Sequence, residues 1–309
     1  MTSAPATPAD QVTVRVPAKV NVQLAVGPPR PDGFHDLANV FLAVGLYDEI
    51  TATRAEGAER LELTCSGPDA SLVPLDDSNL AARAATRLAA HHNLRPDVRL
   101  HISKDIPVAG GMAGGSADAA GALLACDELW GTATPREELL AICAELGSDV
   151  PFPLVGGAAL GEGRGERLTP LPVGGTFHWV FATADGGLAT PAVYREFDRL
   201  TGGRAPEPAP SAHLLAALAD GDVTALAATL ANDLQPAALS LRPSLRDTLD
   251  AGTGAGALAA LVSGSGPTCA FLAADADAAE LIAKALAASG TCRTARVAAS
   301  PAPGAEVLR

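Results

Sequence analysis

The segment from Ile106 to Ala120 places four glycines within six positions, at 110, 111, 114 and 115. Glycine adopts positive φ without strain and lets backbone N–H groups approach a ligand closely. An alanine-rich stretch follows and predicts a helix beginning near Ser116, whose first turn would add unpaired N–H groups and the positive end of its dipole. This composition indicates a loop that binds an anion, and the polyphosphate of a nucleotide fits it best.

The spacing of these glycines excludes the two most common phosphate-binding loops. Gly110 and Gly115 have the separation of a Walker loop, but Ser116 stands where that loop requires a lysine. The dinucleotide fingerprint fails because Met112 and Ala113 fall where its second glycine would have to be. A glycine-rich helix entry without a ligand is disfavoured, since each glycine costs about 0.5–1 kcal/mol in backbone entropy.

Alternating valines predict the strand structure that must position this loop. The alternation runs from Val12 to Val16, and it resumes from Val20 to Val26 after Pro17. Lys19 and Asn21 share the opposite face, one pleat period apart. The pattern fits either a pair of strands or one strand with a bend at the proline.

The remaining periodicity predicts an α+β protein of two domains, residues 10–170 and 171–309, separated where prolines and glycines break the pattern near 170–175. The first domain would carry further strands at about 39–52, 60–65 and 97–103, and helices at about 79–92, 116–130 and 135–146. The second would end as strand, glycine-rich turn, strand, helix and strand, at about 258–263, 268–274, 276–289 and 293–299. A length of 309 residues agrees with two domains.

The composition of the chain limits the kinds of molecule that the protein could bind and where it could be located. The formal net charge is −13, and no basic run occurs, so the sequence predicts no nucleic-acid binding. No stretch is long and apolar enough to span a membrane, and Met1 to Asp10 is interpreted as a loose tail without the pattern of a signal peptide. The five cysteines are scattered without metal-binding spacing, which favours reduced thiols and a cytoplasmic location.

Several separated segments resemble the GHMP kinase superfamily, and together they run from residue 17 to residue 268. Besides the glycine loop they are Pro-Ala-Lys-Val-Asn-Val-Gln-Leu at 17–24, Arg-Pro-Asp-Gly-Phe-His-Asp-Leu at 30–37, Leu-Gly-Ser-Asp-Val-Pro-Phe at 146–152 and Val-Ser-Gly-Ser-Gly-Pro-Thr at 262–268. Two short stretches, 18–21 and 32–35, are the most diagnostic. They resemble the family within the superfamily whose acceptor is cytidine diphosphate methylerythritol, in the non-mevalonate isoprenoid pathway.

This resemblance implies a fold and a reaction. The fold would combine an N-terminal domain like ribosomal protein S5 domain 2 with a ferredoxin-like C-terminal domain. The reaction would transfer a phosphoryl group from ATP, with Mg²⁺, to the 2-hydroxyl of the acceptor. Phosphoryl transfer depends mainly on positioning and charge stabilisation, so the site needs phosphate donors, a metal, a cation and an acceptor for the hydroxyl proton. The expected protein is a monomer or a weak homodimer.

Lys19 and Asp149 are the catalytic candidates. Asp149 follows a helix-ending glycine and, by resemblance and by chemistry, would accept or orient the hydroxyl proton. Lys19 would lower the pKa of that hydroxyl and counter the charge of the moving phosphoryl group. Whether Asp149 is a true base stays open, since a loose transition state needs little proton removal. The plainer interpretations are a solvated edge lysine and a helix-capping aspartate.

The resemblance also assigns binding residues. The nucleotide would be held by Pro107, Val108, Ala109, Gly110, Gly111, Met112, Ala113, Gly114, Gly115 and Ser116. The acceptor would be held by Asn21, Phe34, His35, Tyr194, Gly264, Ser265 and Gly266.

The roles of the acceptor residues differ. His35 would hydrogen-bond the cytosine, with Phe34 lining the base and Tyr194 stacking on it from the other domain. Both aromatic residues are assigned to loops, although an aromatic in an apolar run is more often part of a core. Gly264–Gly266 would form a second nest of backbone N–H groups, beside either the glycine loop or the substrate diphosphate. A hydrolase elbow is excluded there, because Ser263 stands where glycine is required.

The glycine loop departs from the family pattern in ways that leave the metal ligands open. Ala113 replaces a glycine and Ala117 replaces a second serine, which removes one hydroxyl contact. Ser116 could both cap the helix and place its hydroxyl near Mg²⁺ or phosphate. Asp118 could act on the metal indirectly, through the groups that bind it. The histidines show no ligand spacing, so no structural zinc is expected.

Two alternatives to this reaction remain. Another small-molecule kinase of the superfamily, such as a homoserine or mevalonate kinase, would share the loop but should lack the segment 32–35. A non-catalytic RNA-binding module on the S5-like fold is disfavoured by the charge of −13.

Overall fold

The computed structural model describes residues 10–55 and 61–309, so most of the tail predicted at 1–10 lies outside the described residues. Within these residues the strands are β1 (Gln11–Pro29), β2 (His35–Arg54), β3 (Glu62–Ser66), β4 (Val98–Ser103), β5 (Ala158–Glu162), β6 (Arg167–Leu171), β7 (Phe177–Thr183), β8 (Ala231–Asn232), β9 (Ala259–Val262), β10 (Cys269–Ala273), β11 (Thr294–Ser300) and β12 (Glu306–Leu308). The helices are α1 (Leu80–His91), α2 (Gly114–Trp130), α3 (Arg136–Leu146), α4 (Pro151–Val155), α5 (Thr190–Thr201), α6 (Ala212–Asp220), α7 (Val223–Thr229), α8 (Gln235–Leu241), α9 (Leu245–Gly254) and α10 (Ala276–Ser289). None of the described helices is long and apolar enough to cross a membrane.

The first sheet is built around the long antiparallel pair of β1 and β2. Its strand order is β12-β1-β2-β4-β3, with β5 and β6 extending from β2 and β8 pairing with β1. β1 is one strand whose register shifts between Pro17 and Ala18, which resolves the alternative that the sequence left open. Both of its faces are buried there: Val16 and Val20 belong to the core, and Lys19 and Asn21 lie buried on the other face.

Helix α2 packs against β1, β2 and α1 and fills the centre of the first core with small residues. It begins at Gly114, two residues before the predicted start. Ala113 is its N-cap, in the left-handed conformation with φ 59°, and it forms no side-chain cap. The prediction that Ser116 caps this helix is therefore wrong, because Ser116 already lies inside the first turn.

The second sheet confirms the expected α+β architecture. Its strands are all antiparallel in the order β11-β7-β10-β9. Numbered along the chain these four strands read 4-1-3-2, the order that a β-α-β-β-α-β ferredoxin-like unit gives. Helices α5 to α9 all lie between its first two strands in the chain.

The two halves of the chain are interleaved at their edges. The last strand, β12, pairs with β1, and β8 from the second half also adds to β1. Parts of the predicted 171–309 domain therefore complete the first sheet, and the division at residue 170 stays a prediction.

Candidate active site

A cavity of about 680 Å³ brings together the glycine loop, the middle of β1, the start of β2, one face of α5 and the turn at Gly264–Gly266. These segments come from both halves of the chain. The site is thus assembled by tertiary structure from residues up to about 250 positions apart.

The N-terminus of α2 lies at the cavity and has amide groups without partners inside the helix. The first helical hydrogen bond is donated by the amide of Ala117 to the carbonyl of Ala113. The amides of Gly114, Gly115 and Ser116 therefore have no carbonyl partner within the helix, and all three residues line the cavity. An anion at this position would meet N–H groups and the positive end of a 17-residue helix.

Not every residue predicted to bind the nucleotide lines the cavity. Ala109, Gly110, Gly111 and Ala113 do, together with the three residues of the helix start. Pro107, Val108 and Met112 do not: Pro107 and Met112 are buried, and Val108 packs against the first core. Because these side chains pack into the protein, any contact of theirs with the nucleotide stays a prediction.

Lys19 is held in the cavity by a converging set of oxygen atoms. Its Nζ donates to Asn21 Oδ1 at 2.7 Å and to the carbonyl of Gly111 at 2.8 Å, and it lies 3.7 Å from Asp149 Oδ2. Asn21 in turn donates from Nδ2 to Asn39 Oδ1 at 2.7 Å. The structure therefore brings the two catalytic candidates together beside the glycine loop.

Burial and the charge of Asp149 shift the pKa of Lys19 in opposite directions. The side chain is only 3% exposed, and this desolvation lowers the pKa of its ammonium below the ordinary value. The charge of Asp149 and its hydrogen bond act in the opposite direction and raise that pKa. Asp149 itself, at 37% side-chain exposure, remains accessible to a ligand from the cavity.

The turn around Gly264 closes this end of the cavity. Ser263 Oγ donates to the carbonyl of Gly111 at 3.1 Å, and the amide of Thr268 donates to the carbonyl of Gly110 at 3.3 Å. A Cβ atom at Gly264 would lie 3.2 Å from the Nζ of Lys19. The turn therefore lies against the glycine loop, the first of the two positions considered from the sequence.

The other end of the cavity is aromatic. His35 is buried, with ring centroids 5.0 Å from Tyr194 and 6.0 Å from Phe197. Its Nδ1 lies 2.9 Å from the carbonyl of Gly27, and because a carbonyl oxygen can only accept, Nδ1 carries the proton. Its Nε2 lies 3.6 Å from Asp198 Oδ2, and both residues line the cavity.

Phe34 and Tyr194 both line this aromatic end. Phe34 is 47% exposed, in the turn before β2, and the guanidinium of Arg164 lies 5.1 Å from its ring centroid. Tyr194 lies on α5, so its assignment to a loop is wrong. The helix places the ring against His35, and desolvation there raises the pKa of the Tyr194 hydroxyl.

The described residues contain no group of three or more His, Cys, Asp or Glu side chains that could hold a metal ion. Asp118 is buried and accepts a hydrogen bond from Lys104 Nζ at 2.8 Å, so it faces the protein interior and does not line the cavity. The cavity offers the hydroxyl of Ser116 and the carboxylate of Asp149 as oxygen donors near the glycine loop.

Sequence reasoning missed several polar residues of the site. Asn39 orients Asn21, and Asn232 donates to the carbonyls of Val262 and Gly264, both at 2.7 Å. Arg195 and Asp198 line the cavity from α5. The four-residue spacing of Thr190, Tyr194 and Asp198 could have indicated that these residues share one face of a helix. No sequence pattern singled out Asn39 or Asn232 as site residues.

Two protein families match successive segments of the chain. The GHMP kinases N terminal domain matches residues 79–157, and the GHMP kinases C terminal domain matches residues 214–292.

Relatives with curated names extend the match to nearly the full length. The chain is 77% identical over 298 residues to the 4-diphosphocytidyl-2-C-methyl-D-erythritol kinase of Streptomyces avermitilis, covering 96% of this chain and 99% of that protein. The protein of the same name from Thermobifida fusca is 62% identical over 302 residues, covering 96% and 98%.

Solved structures agree in fold. A crystal structure of 4-(cytidine 5'-diphospho)-2C-methyl-D-erythritol kinase matches with a TM-score of 0.75 at 32% identity, covering 93% of this chain and 98% of that one. A homoserine kinase from Cytophaga hutchinsonii matches with a TM-score of 0.77 at 19% identity, covering 99% and 100%, which shows a shared fold alone.

Proposed function

The chain belongs to the 4-diphosphocytidyl-2-C-methyl-D-erythritol kinases of the GHMP superfamily, and we propose that its cavity transfers the γ-phosphoryl group of ATP to the 2-hydroxyl of that acceptor. It is a kinase of isoprenoid precursor synthesis, and a homoserine or mevalonate kinase is not favoured. The observation that carries the site assignment is the 3.7 Å approach of Lys19 to Asp149 beside the amides of Gly114–Ser116.

In this reaction Asp149 accepts or orients the proton of the acceptor hydroxyl, because its carboxylate is exposed to the cavity beside Lys19. Lys19 stabilises the charge that develops on the transferred group. It can do so without reorganising, since Asn21 and the carbonyl of Gly111 already fix its ammonium. The amides at the start of α2 bind the phosphate chain of ATP.

Mg²⁺ fits this site as a companion of ATP. Mg²⁺ in phosphoryl-transfer sites is held by few protein oxygens together with substrate phosphates, and the Ser116 hydroxyl would be the protein oxygen beside the glycine loop, since Asp149 faces the acceptor hydroxyl. When bound it neutralises phosphate charge. The residues of the chain then hold the acceptor hydroxyl and the phosphate chain in line with each other.

The acceptor lies along the cavity with its base at the aromatic end. Phe34 and Tyr194 line the cytosine, and His35 hydrogen-bonds it through Nε2 or its backbone. Asn21 and the turn Gly264–Gly266 contact the part of the acceptor nearest the reacting hydroxyl, because they adjoin the ammonium of Lys19.

The reaction takes place in the cytoplasm, and the protein acts as a monomer or weak homodimer without nucleic acid. Five free cysteines, two of them at intermediate burial, suit a reducing compartment. The charge of −13 opposes binding to a phosphate backbone. Sedimentation of the protein at micromolar concentration tests its assembly state. The same measurement with added RNA at low salt tests whether the protein binds nucleic acid.

The decisive experiment is ADP release by the purified protein, coupled to NADH oxidation, with a panel of acceptors. The panel contains 4-diphosphocytidyl-2-C-methyl-D-erythritol, homoserine and mevalonate, each with ATP and Mg²⁺. We expect turnover with the first acceptor alone, and phosphorus NMR of the product should show a new phosphate monoester. Equal turnover with homoserine or mevalonate would contradict the proposal.

A further inference from the structure

One face of α5 runs the length of the cavity. Thr190, Tyr194 and Asp198 are spaced at four-residue intervals and line it together with Arg195. At 1.5 Å rise per residue, the distance from Thr190 to Asp198 along the helix is about 12 Å. The helix therefore spans the cavity from one end to the other.

The two ends of this face contact different parts of the site. Thr190 Oγ1 lies 3.0 Å from Ser265 Oγ, in the turn whose Gly264 adjoins Lys19. Asp198 and Tyr194 contact His35 at the aromatic end. An acceptor bound along α5, as the proposed function requires, has its diphosphate between these ends, since that group joins the nucleoside to the sugar alcohol.

Arg195 is the cavity cation that no protein group neutralises. Lys19 is engaged by Asn21, Gly111 and Asp149. Arg164 lies over Phe34, with Glu166 4.0 Å from its Nε. Among the described residues Arg195 has no hydrogen bond or salt bridge, although its neighbour Arg199 is paired with Glu196 on the same helix.

We propose that Arg195 binds the diphosphate of the acceptor and thereby selects nucleoside diphosphate derivatives over shorter compounds. Side chains on a helix lean toward its N-terminus, which here directs Arg195 from the aromatic end toward Thr190. A guanidinium donates two parallel hydrogen bonds to phosphate oxygens. In a protein of charge −13, a local cation is needed to hold a ligand of like sign. This inference rests on the proposed function.

The first test compares steady-state constants of the wild type with Arg195→Ala, Arg195→Lys and the control Arg199→Ala. Loss of a charge-assisted phosphate contact should raise the KM for the acceptor about tenfold to a hundredfold in Arg195→Ala. The kcat and the KM for ATP should stay within about threefold, because neither the reacting groups nor the glycine loop is touched. Arg195→Lys should recover part of the loss, and Arg199→Ala should behave as the wild type.

The second test measures binding without turnover. Calorimetry with CDP and with cytidine, each in the presence of a saturating non-hydrolysable ATP analogue, gives the preference for the diphosphate in each variant. The preference should be large in the wild type and in Arg199→Ala and should fall about tenfold or more in Arg195→Ala. Because it is a ratio within one protein, partial unfolding of a variant does not change it.

An unchanged CDP-to-cytidine preference in Arg195→Ala would overturn the inference, as would an equal rise in the KM for ATP and for the acceptor. Failure of the proposed function is recognised separately, as an absence of ADP release by the wild type with every acceptor. The binding ratio still tests Arg195 in that case.

Discussion

Lys19 is positioned by residues on three segments, which explains how an ammonium can be buried at the bottom of a cavity. Asn21 comes from the same strand, Gly111 from the loop and Asp149 from the turn between α3 and α4. Each contributes an oxygen, and Asn39 fixes the orientation of the Asn21 amide. The removal of any one of them leaves the cation with fewer partners than its desolvation requires.

The first prediction concerns Asp149. Asp149→Asn and Lys19→Ala should each lower kcat by about 10²–10⁴-fold, because each removes a group placed at the reacting atoms. The fold should persist in Asp149→Asn, whose side chain is partly exposed. Steady-state kinetics with a parallel melting curve measures both effects, and Ser148→Ala, a neighbour that also lines the cavity, serves as the control. A kcat near the wild-type value would remove the residue from the catalytic set.

The same variant has a pH signature. Burial lowers the pKa of Lys19, and Asp149 raises it, so replacing the carboxylate by an amide should lower that pKa further. The alkaline fall of kcat should therefore move to lower pH in Asp149→Asn than in the wild type. If the two alkaline limbs coincide, the ionisation that limits the rate at high pH is not that of Lys19.

At the scale of a structural element, the glycine loop depends on the backbone conformation of its individual glycines. Gly111 has φ 76°, and a Cβ atom there would clash with the carbonyl oxygen of Ser263. Gly115 lies in the first turn of α2, and a Cβ atom there would meet only Leu80 Cδ1, at 3.8 Å. The two glycines of one loop therefore serve different purposes.

This contrast gives the second prediction. Gly111→Ala should lose about 2 kcal/mol or more of unfolding free energy, since it combines positive φ with a backbone clash. Gly115→Ala should be neutral or slightly stabilising, because alanine is the better helix former. Denaturant unfolding of the two variants measures the difference, and equal losses would contradict the assigned backbone contact.

Helix α2 is joined to the first sheet by a buried ion cluster. Lys104 donates to Asp48 Oδ2 at 2.6 Å and to Asp118 Oδ2 at 2.8 Å, and all three side chains are nearly inaccessible. Asp48 Oδ1 also accepts from the amides of Asp105 and Ile106, just before the glycine loop. The cluster thus ties β2, the end of β4 and α2 together beside the glycine loop.

The third prediction follows from this cluster. Lys104→Met should lose about 3–5 kcal/mol of unfolding free energy, because it leaves two buried carboxylates without a cation. The conservative Lys104→Arg, which keeps the charge, should lose less. Chemical denaturation at pH 7 compares the two, and a loss below 1 kcal/mol in the methionine variant would contradict the argument.

Asp118 adds a dependence on pH. Burial and the neighbouring Asp48 raise its pKa from 3.8 to about 7, although Lys104 opposes the shift. The folded protein therefore binds this proton more tightly than the unfolded chain. The resulting stabilisation is complete below about pH 4 and is lost as the pH rises through 7. Asp118→Asn cannot ionise, so the stability of the wild type relative to this variant should fall between pH 4 and 7; a constant difference would contradict the shifted pKa.

At the scale of the whole molecule, two ion pairs join segments at or next to the second sheet to connections of the first sheet. Arg293 donates to both carboxylate oxygens of Asp69, at 2.7 and 2.9 Å, and Arg296 does the same to Asp105, at 3.0 and 2.7 Å. Both arginines lie at or next to β11 of the second sheet. Asp69 and Asp105 belong to the connections of the first sheet.

The fourth prediction compares these pairs. Asp69 is 9% exposed, whereas Asp105 is 44% exposed, so solvent screens the second pair more strongly. A double-mutant cycle of Asp69→Asn with Arg293→Gln should give a coupling of about 1–2 kcal/mol, and the cycle of Asp105→Asn with Arg296→Gln less than about 1 kcal/mol. Unfolding in urea at low ionic strength measures both, and the reverse order would contradict the role of burial.

The sequence by itself determined the elements whose signals are local. The alternation of valines indicated β1, the glycines indicated the phosphate loop, and the motif residues Lys19 and Asp149 were identified from their neighbours. The last third of the chain, from β9 to β11, was predicted within about two residues, because each strand there is short, apolar and bounded by turn residues. The order of those strands then followed the ferredoxin-like pattern.

Tertiary structure alone decided the rest. The short helices α4 and α8 have five and seven residues and carry too little periodicity to be predicted, and Tyr194, expected in a loop, lies on α5. The pairing of β12 with β1 and the salt bridges of Arg293 and Arg296 join residues more than 190 positions apart. Such contacts depend on the packing of whole sheets, which leaves no mark on neighbouring residues. For that reason the two catalytic candidates could be named from the sequence, whereas the cavity around them could not.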